Sequence, residues 1–463
     1  MTRHKPYPAY KPSSIPWLGE VPKHWDVHRG KALMTPIDIR SKTGEEELLT
    51  VSARHGVIPR KTTDVTMFKA ESYVGYKLCW PGDLVINSLW AWAHGLGVSQ
   101  HHGIVSTAYG VYRPRRLPKM HVRFIHVFAR SVPFQWEMQV RSKGIWVSRL
   151  QLTDDAFLDA PVPVPPLSEQ AAIVRYLDRI DERIRRYVSA KGRLIRLLHE
   201  EKQALIDHAV TRGLDSNVRL RSSGGKTLGD VPKHWEVVQL GRIGDFYKGG
   251  GGTKEDEVDI GFPCVRYGDL YMDHKYHIEQ SRSFISRERV FDYTPIEYGD
   301  ILLAGSGETI DEIGKSAVNL ITGDAYCGGD VILFRPRVEA NPRFMGYAID
   351  CTQSAYQKAC MGRGITVMHI YSSELKYMHL ALPPVDEQTE IARYLDKTTT
   401  GIDGAISRTR RQIELIQEYR TRLISDVVTG KLDVRGTEVG LPHEAYALKP
   451  LREVGELTGG HRL

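Results

Sequence analysis

The chain has 463 residues and a formal net charge of +7, with 41% hydrophobic and 26% charged residues. This composition is typical of a globular protein and argues against a wholly disordered or fibrous chain. No run of about 18 apolar residues occurs, so we predict no membrane-spanning helix. The N-terminus lacks the apolar core of a secretory signal. Five scattered cysteines without a CxxC pair favour a reduced, cytoplasmic compartment over a zinc ribbon or a disulfide framework.

The sequence contains an internal repeat, which is clearest at its ends. Residues 18–27 read LGEVPKHWDV and residues 228–237 read LGDVPKHWEV. Residues 164–178 read VPPLSEQAAIVRYLD and residues 382–396 read LPPVDEQTEIARYLD. The interiors between these blocks share only faint similarities, such as PGDLV in the first and YGDIL in the second. A common frame around two diverged interiors indicates two similar domains that recognise different things.

The first interior, residues 29–160, is predicted to mix helices and strands. Short β-rich runs bounded by glycine and proline turns recur in it, and no βαβ alternation indicates a Rossmann fold. Several side chains in it are suited to base edges and phosphates. We therefore predict a nucleic-acid-reading surface formed by Asn87, Trp90, Trp92, Gln100 and His101. The alternative for each residue is a core tryptophan or a solvated loop side chain.

A long helix is predicted after Pro165-Pro166, because two prolines end any preceding helix. Apolar residues then recur at alternating spacings of four and three, which is the heptad pattern of a coiled coil. The apolar stripe of such a helix needs a partner in water. The predicted pairing residues of this helix are Ile173, Leu177, Ile180, Ile184, Leu194 and Leu198.

The second interior, residues 239–378, is also predicted to mix helices and strands. Its candidate nucleic-acid-binding residues are Lys248, Thr253, Lys254 and Arg266. The glycine-rich segment 249–252 is predicted to be a flexible loop. Residues 307–316 read GETIDEIGKS, but the spacing differs from that of a phosphate-binding loop, so nucleotide binding is not expected.

A second long helix is predicted after Pro383-Pro384, with a less regular apolar seam. Its predicted pairing residues are Ile391, Leu395, Ile402, Ile416 and Leu423. Mutual antiparallel pairing of the two helices would place the two domains at opposite ends of a rod. The alternative is that each helix packs on its own domain, and we favour mutual pairing because both helices carry the heptad spacing.

These elements predict an α+β fold with a pseudo-twofold internal repeat. In this fold, two domains of mixed α/β structure are separated by two long antiparallel coiled-coil helices. The predicted boundaries are 1–165 for the first domain, 166–212 for the first spacer helix, 213–383 for the second domain, 384–430 for the second spacer helix and 431–463 for the C-terminal tail.

The motifs LGEVPKHWDV, GDLVIN and VPPLSEQAAIVRYLD, repeated in one chain, resemble the specificity subunit of a type I restriction–modification system. The resemblance extends from about Tyr10 to Asp433. It implies that each interior is a target-recognition domain for one half of a bipartite double-stranded DNA site. It also implies that the helices set the gap between the half-sites and dock two methyltransferase subunits, through which restriction subunits join.

The resemblance further implies that this chain has no catalytic residues, no metal site and no cofactor of its own. S-adenosylmethionine, ATP and Mg²⁺ would belong to the partner subunits. In agreement, we find no GxSxG, no HExxH and no methyltransferase motif, because Pro165-Pro166 and Pro383-Pro384 follow Val and Leu rather than Asn or Asp. Residues 434–463 have no counterpart in the first repeat, which leaves the role of the tail open.

Two alternatives of other classes remain at the level of sequence. The chain would be an enzyme in its own right if it were a stand-alone DNA methyltransferase or nuclease with built-in recognition. It would bind only protein if it were a coiled-coil scaffold.

Overall fold

The computed structural model describes residues 6–62, 70–116, 119–144, 150–225, 227–252, 254–272, 275–310, 312–364 and 367–436. The chain divides into two compact units. Unit 1 comprises Met1–Lys191 together with Arg410–Leu463, and unit 2 comprises Gly192–Thr409.

The described chain contains both helices and strands. The helices are α1 Gly30–Leu33, α2 Val122–Ala129, α3 Val132–Arg141, α4 Asp154–Leu158, α5 Leu167–Arg212, α6 Leu240–Ile243, α7 Tyr267–Met272, α8 Pro342–Ile349, α9 Thr352–Met361, α10 Ser372–Leu375 and α11 Val385–Val428. The strands before α5 are β1 Tyr10–Pro12, β2 Glu20–Pro22, β3 Asp26–Arg29, β4 Met34–Pro36, β5 Leu49–Ser52, β6 Gly56–Pro59, β7 Lys77–Cys79, β8 Leu84–Asn87, β9 Leu96–Val98, β10 Gly103–Val105, β11 Tyr109–Pro114 and β12 Pro161–Val164.

The remaining strands lie between the two long helices α5 and α11. They are β13 Leu220–Ser222, β14 Asp230–Pro232, β15 Glu236–Gln239, β16 Gly244–Lys248, β17 Glu257–Val265, β18 Tyr276–Ile278, β19 Ser283–Ile285, β20 Thr294–Ile296, β21 Ile301–Ala304, β22 Ser306–Gly307, β23 Ser316–Asn319, β24 Ala325–Cys327, β25 Val331–Pro336, β26 Met368–His369 and β27 His379–Leu382. This mixed architecture with two long helices confirms the predicted fold class.

The two units share one strand topology. Unit 1 has an antiparallel sheet in the order β4-β11-β8-β9, and unit 2 has the sheet β16-β25-β21-β23-β18, whose first four strands follow the same order. In unit 2 a second sheet runs β19-β17-β24-β20, with β17 parallel to β24. In unit 1 the hairpin β5-β6 and the pair β10-β7 are joined by a parallel bridge from Leu48 to Ile104. The repeat therefore extends through the interiors, whose sequences barely reveal it.

A buried carboxylate ties the first repeated block of unit 1 to the start of α5. The side chain of Glu169 is only 4% exposed. It accepts hydrogen bonds from Tyr7 Oη at 2.5 Å, His24 Nε2 at 2.7 Å and Trp25 Nε1 at 3.0 Å. A buried carboxylate is stable only when donors of this kind surround it. The PKHW and PPLSEQ motifs are therefore halves of one contact.

Unit 2 repeats this contact with a carboxylate that is more exposed. Glu387 accepts hydrogen bonds from His234 Nε2 at 2.8 Å and Trp235 Nε1 at 3.1 Å, and its side chain is 28% exposed. Trp25 of unit 1 and Trp235 of unit 2 are both almost completely buried. The likeness of the repeat ends therefore has a packing reason.

The glutamine that follows each of these glutamates is a buried clamp. Gln170 and Gln388 each donate to the carbonyl of the proline five residues earlier, at 2.8 Å in both units. Each also accepts a backbone N–H, from His121 in unit 1 at 2.8 Å and from Asn341 in unit 2 at 2.9 Å. Both glutamines thus hold the residue that precedes α2 or α8 against the long helix.

The faint similarities between the interiors form an arginine–aspartate pair in each unit, in which the aspartate is buried and the arginine partly exposed. Arg113 binds Asp83 through two hydrogen bonds of 2.8 and 2.9 Å, and Arg335 binds Asp300 through two of 2.8 and 2.7 Å. Each aspartate side chain is 2% exposed. Bidentate pairs of this geometry are strong and directional. The Gly-Asp dipeptides at 82–83 and 299–300 and the Arg-Pro dipeptides at 113–114 and 335–336 therefore mark the same interaction in each sheet.

Segments of the two long helices pair antiparallel within each unit. In unit 1, Asp181 binds Arg420 at 2.7 Å and Tyr187 lies 3.4 Å from Gln412, so residue numbers rise on α5 as they fall on α11. In unit 2, Lys202 of α5 forms an ion pair with Asp403 of α11.

Most of the predicted pairing residues are buried in these helix contacts. Ile173, Leu177, Ile180 and Ile184 share the unit 1 core with Ile416 and Leu423, and Ile391 and Leu395 lie in the unit 2 core. Leu198 and Ile402 are half-buried, whereas Leu194 is 38% exposed. The same cores contain Phe124 and Phe344 of the globular parts. The helices thus pack on each other and on the domains, so the two alternatives occur together. Among the described residues, no helix is both long and apolar enough to cross a membrane.

Candidate nucleic-acid interface

The turn between β8 and β9 of unit 1 presents a pair of stacked tryptophans. The rings of Trp90 and Trp92 are 5.7 Å apart with an interplanar angle of 18°. Trp90 is 54% exposed, and the adjacent Leu89 is 45% exposed. Trp92 Nε1 donates to the carbonyl of Leu89 at 3.0 Å, which fixes its ring. An exposed, ordered aromatic face is suited to stacking on a base. Neither tryptophan is a core residue.

The base of this tryptophan turn is fixed by the domain core. Ala91 is completely buried, and its carbonyl accepts from Gln135 Nε2 at 2.6 Å. Arg130 Nη1 donates to the carbonyls of His94 and Leu96 at 3.2 and 2.7 Å. His94 adopts a left-handed conformation with φ of 61°. No local pattern in the sequence indicates this role of Arg130, because the arginine caps the C-terminal end of α2, far along the chain from the turn.

The other predicted residues of unit 1 are divided between two places. Asn87 lies beside the turn, where its Nδ2 donates to Tyr109 Oη at 3.1 Å and its Oδ1 accepts the N–H of Leu89 at 3.2 Å. Gln100 is exposed and His101 half-buried, and both follow β9, whereas the tryptophan turn precedes it. The structure therefore brings Asn87, Trp90 and Trp92 together and separates them from the other two residues.

In unit 2, the predicted residues surround the glycine-rich segment after β16. Lys248 is exposed, and its carbonyl accepts from Thr294 Oγ1 at 3.2 Å. Thr253 lies outside the described residues, and the structure describes only the backbone of Lys254. A side chain at Gly249 would lie 2.2 Å from the carbonyl oxygen of Gly328, so the backbone approaches too closely for any residue but glycine. The predicted flexible loop is thus a packed segment.

Arg266 follows β17 and is mostly buried rather than displayed. Its Nη1 lies 3.0 Å from Glu257 Oε2, and its side chain is 17% exposed. Its Nε and Nη2 are buried without a hydrogen-bond partner among the described residues. The cationic candidates of unit 2 are Lys248, Lys254 and Arg266. Of these three side chains, the structure describes only that of Lys248 as exposed.

Two histidines near the tryptophan turn are held in the neutral form. Burial, with Arg123 and Arg130 nearby, lowers the pKa of His126 to about 4. Burial and Arg130 also lower the pKa of His94 below its usual value. Both imidazoles are therefore uncharged at neutral pH, mainly because burial disfavours the protonated ring.

The described part of the chain offers little reactive chemistry. No group of three or more His, Cys, Asp or Glu side chains in it is placed to hold a metal ion. Burial raises the pKa of Cys79 to about 11 and those of Cys264 and Cys327 to about 12, so these thiols are poor nucleophiles.

Comparisons with known proteins point to one class. Residues 232–415 match the model of the type I restriction modification DNA specificity domain. The chain is 21% identical over 445 residues to a putative type I restriction enzyme MjaX specificity subunit of Methanocaldococcus jannaschii, covering 90% of this chain and 96% of that protein. It is also 21% identical over 227 residues to the EcoKI specificity subunit of Escherichia coli K12, covering 48% of each chain.

A solved structure has the same fold. It concerns complex assembly and conformational transition of the type I R-M system, and its chain superposes with a TM-score of 0.67 at 17% identity, covering 89% of this chain and 99% of that one. The solved structure thus shows the same fold, and residues 232–415 of this chain are similar to the type I DNA specificity domain. The resemblance to the specificity subunits of type I restriction–modification systems, predicted from the repeated motifs, is confirmed.

Proposed function

We propose that this chain is the DNA sequence-specificity subunit of a type I restriction–modification complex. The domain of each unit reads one half of a bipartite double-stranded DNA site, and the long helices set the gap between the halves. The chain itself is non-catalytic. The relatives are named as specificity subunits of type I restriction enzymes, which supports this role.

One observation carries the proposal: the two units keep the same buried frame and present different exposed groups. The Glu–Trp, Gln–carbonyl and Asp–Arg contacts recur with nearly equal distances in both units. Unit 1 offers stacked tryptophans at its β8–β9 turn, whereas unit 2 offers Lys248 beside a packed glycine segment. A common scaffold with different reading groups is what two unlike half-sites require.

A domain exchange tests this proposal. Residues 29–160 would be replaced by the recognition domain of another specificity subunit, and the methylated motif would be determined by methylation-sensitive sequencing of host DNA. We expect one half of the motif to change while the other half and the gap stay the same. The reciprocal exchange of residues 239–378 should change only the other half. A change in both halves after either exchange would contradict the modular reading.

The partners and cofactors follow from the same proposal. Two methyltransferase subunits dock on α5 and α11, and restriction subunits join through them. S-adenosylmethionine, ATP and Mg²⁺ act in those partners, in the cytoplasm. Like other type I specificity subunits, the chain supplies no methyl-transfer step, and the methyltransferase flips the target base out of the stack.

A turnover assay separates this proposal from a stand-alone enzyme. The full chain would be purified and mixed with target DNA, Mg²⁺ and S-adenosylmethionine, with and without the methyltransferase subunits. We expect methylation only when this chain and the methyltransferase subunits are present together. Methylation or cleavage by the chain alone would show an enzyme with built-in recognition. An assembled complex that methylates DNA without sequence preference would indicate a protein scaffold.

A further inference from the structure

A large cleft in unit 1 opens next to the tryptophan turn. Its volume is about 960 Å³, and it lies between the β5–β6 turn, α2 and the paired segments of α5 and α11. Its charged and titratable lining residues are Arg54, His55, His94, Arg123, His126, Asp178, Asp181, Arg130, Arg185 and Arg420. Among the arginines and aspartates of this lining, five positive charges stand against two negative ones, which leaves an excess of three positive charges.

Two of the five arginines are neutralised inside the cleft. Arg123 Nη2 lies 3.0 Å from Asp178 Oδ1, and Arg420 Nε lies 2.7 Å from Asp181 Oδ1. These pairs connect α2 to α5 and α11 to α5, so they have a structural function. The two pairs use both aspartates of the lining. The remaining arginines of the lining are Arg54, Arg130 and Arg185.

The charge of Arg130 is held without a carboxylate. Its guanidinium donates to the carbonyls of Ser52, Ala53, His94 and Leu96, all of which are neutral acceptors. Burial and the nearby Arg420 lower its pKa below the usual value. A half-buried cation without a counter-ion raises the potential around it and stabilises an anion that enters the cleft.

Arg54 and Arg185 stand at the exposed side of the same cleft. Both side chains are exposed, and neither has a carboxylate partner within the part of the chain that the structure describes. Guanidinium groups bind phosphate through two parallel hydrogen bonds, which an exposed, unpaired arginine can form at little cost in structure.

The cleft and the tryptophan turn are connected through one residue. His94 ends the turn that carries Trp90 and also lines the cleft, and Arg130 holds the His94 carbonyl at 3.2 Å. The cationic lining therefore begins at the residue that ends the turn displaying Trp90. Phosphate contacts of this kind set register while base contacts supply specificity.

We propose that this cleft binds phosphate groups of the DNA backbone, with Arg54 and Arg185 as the contacting side chains and Arg130 as the fixed charge beneath them. This inference rests on the proposed function, because it names where unit 1 holds the duplex whose half-site it reads. It adds a sequence-independent anchor on the helix side of the domain, apart from the reading turn.

The test is the salt dependence of DNA binding. The full chain in complex with its methyltransferase subunits would be titrated onto target DNA over a series of salt concentrations, for the wild type and for the double variant Arg54→Gln/Arg185→Gln. Each lost phosphate contact flattens the slope of log K against log salt by about 0.9 on duplex DNA. We expect a slope shallower by about 2 and an unchanged methylated motif. Arg54→Lys/Arg185→Lys should keep most of the slope.

The matched control is Arg186→Gln, which removes an exposed arginine of the same helix that pairs with Glu182 outside the cleft lining. Its slope should equal that of the wild type. An unchanged slope in the double variant would overturn the inference. A second measurement is stabilisation by inorganic phosphate at constant ionic strength. If the wild type is stabilised and the double variant is not, while the DNA slope of the double variant stays unchanged, the cleft binds phosphate but not the DNA backbone. That result would also overturn the inference. Failure of the wild-type complex to prefer target over scrambled DNA would instead contradict the proposed function.

Discussion

Glu169 joins two sequence motifs of unit 1 through one buried carboxylate. Its carboxylate is 4% exposed and collects three donors, two of them from the PKHW block. The nearby Arg435 Nη1 adds a positive charge at 3.8 Å. Because the negative charge is surrounded by donors, replacing it with a neutral group leaves those donors partly unsatisfied.

We expect Glu169→Gln to destabilise unit 1 by about 2 kcal/mol, because an amide accepts fewer hydrogen bonds and adds its own N–H donors. Glu387→Gln should cost less, since Glu387 has fewer donors and is more exposed. Thermal unfolding of the full chain measures both. Glu182→Gln, at an exposed ion pair, is the control. Equal effects of the substitutions at Glu169 and Glu182 would contradict the assigned role.

His126 makes the stability of unit 1 depend on pH. Its folded pKa is about 4 and its ordinary pKa is 6.5, so the unfolded chain binds the proton more readily between these values. The stability is complete above pH 6.5 and falls as the pH drops toward 4, by about 3 kcal/mol at most. Urea unfolding at pH 7 and pH 5 measures the loss.

The variant His126→Asn isolates that effect. Asparagine does not titrate in this range, and its side-chain oxygen can accept the N–H of Val98, which His126 Nδ1 now accepts at 3.2 Å. We expect the difference in unfolding free energy between pH 7 and pH 5 to shrink in the variant. A difference as large as in the wild type would assign the pH dependence to other groups.

At the scale of elements, the long helices are held by a seam that only partly follows the heptad positions. Ile180 and Ile184 are buried at 1% and 3%, whereas Leu194 is 38% exposed and the buried position near the end of α5 is Ile206 rather than Leu205. A straight α-helix drifts by about 20° per heptad. A strict spacing of seven therefore leaves the contact face over the length of α5.

A pair of alanine substitutions tests the observed seam. Ile180→Ala removes a fully buried side chain and should destabilise unit 1 by about 3 kcal/mol. Leu194→Ala should change stability by less than about 0.5 kcal/mol, although both residues occupy predicted heptad positions. Thermal unfolding of the two variants measures both losses of stability. A loss at Leu194 as large as that at Ile180 would restore the simple heptad picture.

The sequence predicted the long helices and the two-domain organisation because the apolar spacing and the repeated blocks are local signals. It also grouped Asn87 with Trp90 and Trp92, which are close in the chain and lie at the turn between β8 and β9, while their role in reading DNA stays a prediction. It could not predict that Arg54, Arg130 and Arg185 line one cleft, since only the fold brings β5, α2 and α5 together. Nor could it predict that Arg266 would be mostly buried beside Glu257, because burial depends on tertiary packing that no local pattern shows.

At the scale of the whole molecule, unit 1 is completed by both described ends of the chain. The guanidinium of Arg435 lies 5.0 Å from the ring centre of Tyr7, and Tyr10 Oη donates to the carbonyl of Lys431 at 3.4 Å. In unit 2, the matching region is the continuous segment between α5 and β13. The strand pair β1-β2 corresponds there to β13-β14. Unit 1 is therefore split where unit 2 is continuous.

We expect the position of this split to be interchangeable. A permuted chain would join Gly436 to Pro6 by a short glycine–serine linker and begin between the exposed residues Ser216 and Asn217. It should assemble with the methyltransferase subunits and methylate the same motif. A second permuted chain, opened inside α5 between Arg186 and Tyr187, should not, because it interrupts a helix. Equal behaviour of the two chains would contradict this view.

The exchange of helical segments between the units has a consequence for the origin of the chain. Unit 1 includes residues from 410 onward, which belong to the second repeat, and unit 2 includes residues 192–212 of α5, which follow the first domain. A single repeat on its own would thus lack the helical segment that completes its core, which supplies residues such as Ile416 and Leu423 in unit 1 and Ile206 in unit 2. An ancestor with one repeat would have needed a second copy of itself, and such a homodimer would have favoured palindromic targets. Fusion of two copies then freed each half to diverge toward its own bases.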